Sequence, residues 1–176
     1  MNVILYAAMS VNGMIAKGDD DTQWISKEEW DSYRVMVCNA GCLVVGRRTY
    51  GILTQQPEFV ELKQAKLVVV SHEAVKTTEA EHVVAHSPKE ALEKLKEFKE
   101  VIVAGGGILN ASFLAENLVD EIYLDIEPIL LGQGIPLFRK QTFEQNLELV
   151  GWKNITANEI QLHYRVAKPL ETALLA

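Results

Sequence analysis

Two cysteines, Cys38 and Cys42, are too few for a disulfide framework, and neither has a histidine close in sequence with which to build a metal site. Both read as buried, reduced thiols. Proline is scarce, with five residues, and no Pro- or Ser-rich linker or internal repeat divides the chain. At 176 residues this suits one domain with a sizeable core. Positive charge is in the minority: 17 Lys and Arg face 24 Asp and Glu, a net charge of −7. That balance argues against broad binding to nucleic acid or an anionic membrane. No apolar run approaches a bilayer span. The N-terminus lacks the charged region, apolar core and cleavage site of an export signal, because Met1-Asn2-Val3 already reads as a strand. A cytoplasmic location is the expectation. The chain has no G-x-x-x-x-G-K-[ST] and no G-x-S-x-G, so nucleotide hydrolysis and α/β-hydrolase chemistry lack their motifs. His72, His82, His86 and His163 show no metal-ligand spacing and read as surface or strand histidines, with no metal expected.

What the chain does have is a glycine turn between a strand and a helix. Val101-Ile102-Val103-Ala104 runs into Gly105-Gly106-Gly107, and an apolar helical pattern follows from Ile108 to about Asn117. Three residues without Cβ let the backbone take φ > 0 and let a ligand approach bare amides. No carboxylate occurs in that helix before Glu116, so its positive N-terminal end suits a phosphate. The run is not a dinucleotide fingerprint, since the sixth position counted from Gly105 is Asn110.

Cys42–Val45, Leu67–Val70 and Val101–Ala104 are continuous apolar strands of the kind found in a parallel sheet covered on both faces. Helical patterns lie between them. Ser26 is a helix N-cap with Glu29 at the reciprocal position of a capping box, Trp30, Tyr33, Val37 and Ala40 form the buried stripe, and Gly41 ends the helix. Ser87-Pro88-Lys89-Glu90 starts another, with Ala91, Leu92, Leu95 and Phe98 turned inward. Later, Ile122–Ile126, Leu147–Val150 and Ile160–Val166 read as strands, the last two pairing antiparallel. The expected fold is α/β: a mixed, mostly parallel central sheet flanked by helices and finished by a C-terminal β-hairpin. The domain spans residues 1–167, and residues 168–176 read as a loose tail.

Gly46-Arg47-Arg48-Thr49-Tyr50 follows directly on one apolar strand, and Ser71-His72 closes the next. Ligands of open α/β sheets lie outside the C-terminal ends of the strands. Arginine offers forked, permanently charged donors that match a phosphate. A site for NAD is expected to present a carboxylate to the ribose hydroxyls. These strand ends carry Arg47, Arg48, Ser71 and His72 instead, which favours the additional phosphate of NADP.

In order, Ser10-Val11-Asn12-Gly13-Met14-Ile15-Ala16, Trp24, the Ser26 helix, Gly46-Arg47-Arg48-Thr49-Tyr50, Ser71, Gly105-Gly106-Gly107, Leu118-Val119-Asp120-Glu121 and Pro128–Phe138 resemble the dihydrofolate reductase superfamily. Within it the chain is most similar to the reductase domain of the bifunctional riboflavin-biosynthesis deaminase/reductase, from Met1 to about Val166. The resemblance implies a reductase that uses NADPH on a small pyrimidine- or pterin-type heterocycle, as 5-amino-6-(5-phosphoribosylamino)uracil reductase does, and a homodimer. It places Gly46, Arg47, Arg48 and Thr49 against the cofactor phosphates and Ser71, with His72 beside it, at the 2′-phosphate. It also assigns Ala8, Ile15, Gly105, Gly106, Gly107, Ile108 and Leu109 to the cofactor site, with a cis peptide at Gly105-Gly106. The segment from about Ala16 to Gln23 corresponds to a mobile loop over the nicotinamide, with Asp19-Asp20-Asp21 solvated. Counting five residues from Trp24 gives Glu29 as the first candidate to handle the proton, and Asp31 is the second.

The chain departs from the folate enzymes at Gln56–Lys63, which contains no arginine for a folate tail, and it lacks a His/Cys/Cys zinc set for deamination. Dihydrofolate reductase proper and a non-catalytic NADPH-binding module stand as the alternatives.

Overall fold

Strand-forming and helix-forming segments alternate along the chain, and in the computed structural model, which describes residues 1–79 and 81–167, they build one large sheet with helices on it. The expected tail, residues 168–176, lies outside the described residues. In chain order the elements are β1 (Asn2–Ser10), β2 (Met14–Ala16), α1 (Lys27–Ala40), β3 (Cys42–Gly46), α2 (Arg47–Leu53), a 3-10 turn (Pro57–Leu62), β4 (Lys66–Val70), β5 (Val83–Ala85), α3 (Pro88–Glu93), β6 (Glu100–Val103), α4 (Gly107–Ala115), β7 (Glu121–Glu127), β8 (Ile135–Pro136), β9 (Leu147–Asn154) and β10 (Ile160–Val166).

The main sheet has the order β5-β4-β3-β6-β1-β7-β10-β9. From β5 to β7 all neighbours are parallel, and β10 and β9 then close the sheet as the expected antiparallel hairpin. A bulge interrupts the hairpin between His163 and Tyr164. The two short strands β2 and β8 pair separately, a contact that sequence periodicity does not reveal because each is so short.

Each continuous apolar strand is buried on both faces, as its composition requires. On one side Val3, Leu5, Val44, Val68, Val101 and Val103 pack with Leu95, Leu109 and Phe113. On the other, Ile4, Tyr6, Leu43, Val45, Val69 and Ile102 pack with Tyr33 and Val37 of α1 and with Tyr50 of α2. Burial of each such side chain contributes roughly 1.5–3 kcal/mol.

Local signals set the helix ends. Ser26 Oγ accepts the Glu29 main-chain N–H at 2.9 Å, and Gly41, at φ 73°, returns its N–H to the Val37 carbonyl. Ser87 Oγ accepts from Glu90 N in the same way at the start of α3. The cysteines divide: Cys42 is buried, and burial pushes its thiol up to about 12, whereas Cys38 is exposed on α1, contrary to the expectation that both are buried. Position 38 directly follows the buried Val37, and its side chain points away from the stripe that packs on the sheet. Among the described residues, no helix is long and apolar enough to cross a membrane.

Candidate active site

Because six neighbouring strands are parallel, their C-terminal ends meet along one edge, where Gly46 of β3, Ser71 after β4 and Gly105 after β6 come together. Gly46 donates its N–H to the Gly105 carbonyl at 2.8 Å, which ties the arginine motif to the glycine turn. Gly105 sits at φ 82°, the left-handed region that favours glycine, and the Gly105-Gly106 peptide is cis, as the resemblance implies. A Cβ on Gly106 would lie 3.2 Å from Thr49 Oγ1, so Thr49 packs directly on this turn. Gly107 needs its missing side chain for another reason. A Cβ there would strike the Pro136 carbonyl oxygen of β8.

Asn110 holds the turn in place. Fully buried on the first turn of α4, it accepts the Gly105 N–H at 3.1 Å and donates to the Leu137 carbonyl at 3.2 Å. The sequence marks Asn110 only as the residue that breaks a fingerprint. Its role depends on a partner 27 residues away. A second polar knot joins two segments on which the family resemblance rests: Asn12 Nδ2 donates to the Leu131 carbonyl at 2.8 Å, and Asn12 Oδ1 accepts from Leu131 N and from Ser10 Oγ.

The other candidates are distributed around this turn. Arg47 and Arg48 open α2 and are exposed, Arg47 pairing with Glu73 at 3.2 Å and Arg48 with Asp20 of the loop after β2. Ser71 is buried, its hydroxyl engaged with both the main-chain N–H and the carbonyl of Glu73, and His72 is exposed beside it. Leu109 is buried under the turn, Ile108 is exposed, and Ile15 is half-buried on β2. Of the expected solvated acids, Asp21 is engaged by Lys17 at 2.6 Å and Asp20 by Arg48. Two guanidinium groups, a hydroxyl and a bare glycine turn before a helix without early acids fit an anionic, phosphate-bearing cofactor.

Across β1 from the glycine turn lies a set of carboxyl groups. Ala8 of β1 pairs with Asp125 of β7, so the two side chains stand next to each other on the α1 face of the sheet. β6 and β7 flank β1, two strand spacings or about 10 Å apart. Tyr6 donates its hydroxyl to Asp125 Oδ2, and Gln161 of β10 donates to Asp125 Oδ1 at 2.7 Å and to Ser32 Oγ at 3.3 Å. Glu29 faces this network and is only 5% exposed. Burial, reinforced by the negative charge of Asp125, Glu127 and Glu159, pushes its carboxyl well above the usual range. Burial also raises Asp125, against the pull of its Tyr6 and Gln161 hydrogen bonds.

The expected capping box forms only in half. Ser26 N–H goes to Glu127 Oε1 at 2.8 Å rather than to Glu29, and Ser26 Oγ donates to Glu159 Oε2 at 2.9 Å. Spacing within α1 could not reveal this, because the competing carboxylate arrives from β7, 101 residues later. A signal for it was present: Asp125 and Glu127 are two apart on a strand that otherwise reads as buried, which puts both on one face. Asp31 lies elsewhere. It is exposed on the outer side of α1 and pairs with Arg34 at 3.3 Å, so the fold does not bring it to the Glu29 cluster.

Residues 1–161 match the family described as the RibD C-terminal domain. An uncharacterized protein of Bacillus subtilis (strain 168), YwjB, is 32% identical over 169 residues, 92% of this chain and 95% of that protein. Dihydrofolate reductase type 15 of Escherichia coli is 33% identical over 132 residues, 73% of this chain and 78% of that enzyme. Among solved structures, a putative riboflavin biosynthesis protein from Shewanella sp. PV-4 superposes with a TM-score of 0.78 at 21% identity, over 96% of this chain and 100% of that one. The chain belongs to the RibD C-terminal domain family, within the dihydrofolate-reductase-like superfamily.

Proposed function

We propose that this chain is an NADPH-dependent reductase of a small heterocycle of pyrimidine or pterin type, similar to 5-amino-6-(5-phosphoribosylamino)uracil reductase. One observation carries the reading: the buried Glu29 carboxyl, biased toward its protonated form, lies across β1 from the bare glycine turn. Bound NADPH supplies a hydride. Arg47, Arg48, Thr49 and, once released from Glu73, Ser71 would hold its phosphates, and Gly105-Gly106 would leave room for it beside Ala8. Glu29 hands a proton to the ring that accepts the hydride, with Asp125 and Tyr6 keeping that corner of the pocket in register.

Dihydrofolate reductase proper is the second reading, favoured by the similarity to the type 15 enzyme. Against it, Gln56–Lys63, which comprises the 3-10 turn Pro57–Leu62 and its two flanking residues, offers no arginine to a folate tail.

The test is NADPH consumption by the purified protein against pterins, pyrimidines with and without a ribosyl phosphate, flavin precursors and dihydrofolate. Turnover with a pyrimidine or pterin is expected. Turnover confined to dihydrofolate supports the second reading, and tight NADPH binding with no consumption would mean a binding module.

A further inference from the structure

Ser26 is the meeting point of three carboxylate-bearing residues from three parts of the chain. Its hydroxyl accepts the Glu29 main-chain N–H at 2.9 Å and donates to Glu159 in the β9–β10 turn, also at 2.9 Å. Its own main-chain N–H donates to Glu127 Oε1 at the end of β7, at 2.8 Å. In an ordinary capping box that last N–H belongs to the glutamate three residues on, whose side chain folds back along the helix to reach it. Here that glutamate is Glu29, and its place is already filled.

We propose that Glu127 is a positioning residue for Glu29: by accepting the Ser26 main-chain N–H it displaces Glu29 from the helix cap and keeps the Glu29 carboxyl turned toward the sheet. The role of Glu29 it serves rests on the reductase reading above. The groups that face Glu29 are Tyr6 on β1, Tyr33 on α1, Asp125 and Glu127 on β7 and Glu159 before β10, and Lys153 of β9 acts on Asp125. Except for Lys153, all are acids or hydroxyls. A Glu29 carboxyl turned inward therefore holds its proton, whereas one returned to the cap would gain an N–H donor that favours its ionised form.

The experiment follows the Glu29 side-chain carboxyl by NMR in protein labelled with 13C-glutamate, the signal being assigned by its loss in Glu29→Gln. Glu127→Gln and Glu127→Met both remove the charge and keep the bulk, and only Gln keeps an oxygen for Ser26 N–H. With Gln, Glu29 is expected to titrate below the parent yet above the ordinary 4.5. With Met it is expected to fall by about one further pH unit, because Glu29 swings back to the cap. Equal titration in Gln and Met overturns the proposal. Should Glu127→Met not fold, Glu127→Asp decides, since it keeps the charge but loses the reach. Glu29 titrating lower than in the parent supports the role, and titration at or above the parent overturns it. If these titrations come out as expected while Glu29→Gln turns over normally, the proton-donor reading falls and the positioning role stands.

Discussion

Arg48 on the first turn of α2 is bonded through Nε to Asp20, a residue at φ 69° in the loop that follows β2. One of the two arginines at the glycine turn is thus engaged by the loop that the resemblance places over the nicotinamide. Arg47 is likewise engaged by Glu73, from the segment after β4. Both pairs are exposed, and such pairs contribute at most about 1 kcal/mol. A phosphate that reaches both guanidinium groups can displace them.

Two cofactor results follow. Replacing Arg47 and Arg48 with alanine should weaken NADPH much more than NADH, because charge-assisted phosphate contacts are the strong ones. Asp20→Asn should strengthen NADPH by no more than about fivefold, the equivalent of one exposed ion pair. Fluorescence titration with both cofactors measures each effect. Equal losses for NADPH and NADH in the arginine variant would falsify the assignment of these residues to the phosphate.

Neighbouring glycines should behave differently. Among the described residues, Gly106→Ala meets only Thr49 Oγ1, a side chain that can yield, so the fold should survive while cofactor binding is lost. Gly107→Ala meets the carbonyl of Pro136, which is backbone, so its melting temperature should fall as well. A thermal melt beside a binding titration separates the two. Normal NADPH binding by Gly106→Ala would leave the turn with a packing role only.

Much of this fold is legible in the sequence because its signals are local. Ser26, Gly41 and Ser87 mark helix ends through bonds to residues three or four away, and the apolar runs of β3, β4 and β6 require a sheet covered on both faces. The site is less legible because its bonds are long-range. Asn110 acts on Leu137, Gln161 on Asp125, and Glu127 on Ser26, and no spacing rule connects such pairs. Glu29 shows the difference within one residue. Its position at the start of α1 follows from the sequence, whereas the fate of its carboxyl depends on a strand that comes a hundred residues later.

The outer edge of the hairpin bears on assembly. β9 is an eight-residue edge strand, and Leu149, Val150 and Trp152 on it are 57%, 46% and 65% exposed. The opposite edge of the sheet, β5, has only three residues. A long apolar edge invites another strand, and a second copy of β9 laid antiparallel across a two-fold axis would close the contact on itself. Sedimentation should show a dimer for the parent and a monomer for Leu149→Lys with Trp152→Lys. A monomeric parent at micromolar concentration would remove the expected homodimer.

Glu29 makes two predictions that can be checked separately. Its carboxyl titrates well above 4.5 in the folded protein, chiefly through burial. Between the ordinary value and the raised one, the folded state keeps a proton that the unfolded chain has released, so stability falls as pH rises through that window. Asp125 and Glu127, also raised by burial, act with the same sign. Glu29→Gln removes one such contribution. Denaturant melts of the variant should therefore lose less stability than the parent as pH rises above the ordinary carboxylate value of 4.5. Turnover should respond in the opposite way. With the substrate found in the screen, Glu29→Gln should slow hydride transfer on the order of a hundredfold and lose the alkaline limb of the rate profile, since no proton is left there to give. If the variant reacted as fast as the parent at every pH while its stability profile flattened as described, Glu29 would be a buried acid that shapes the fold, and the proton would have to come from bound water.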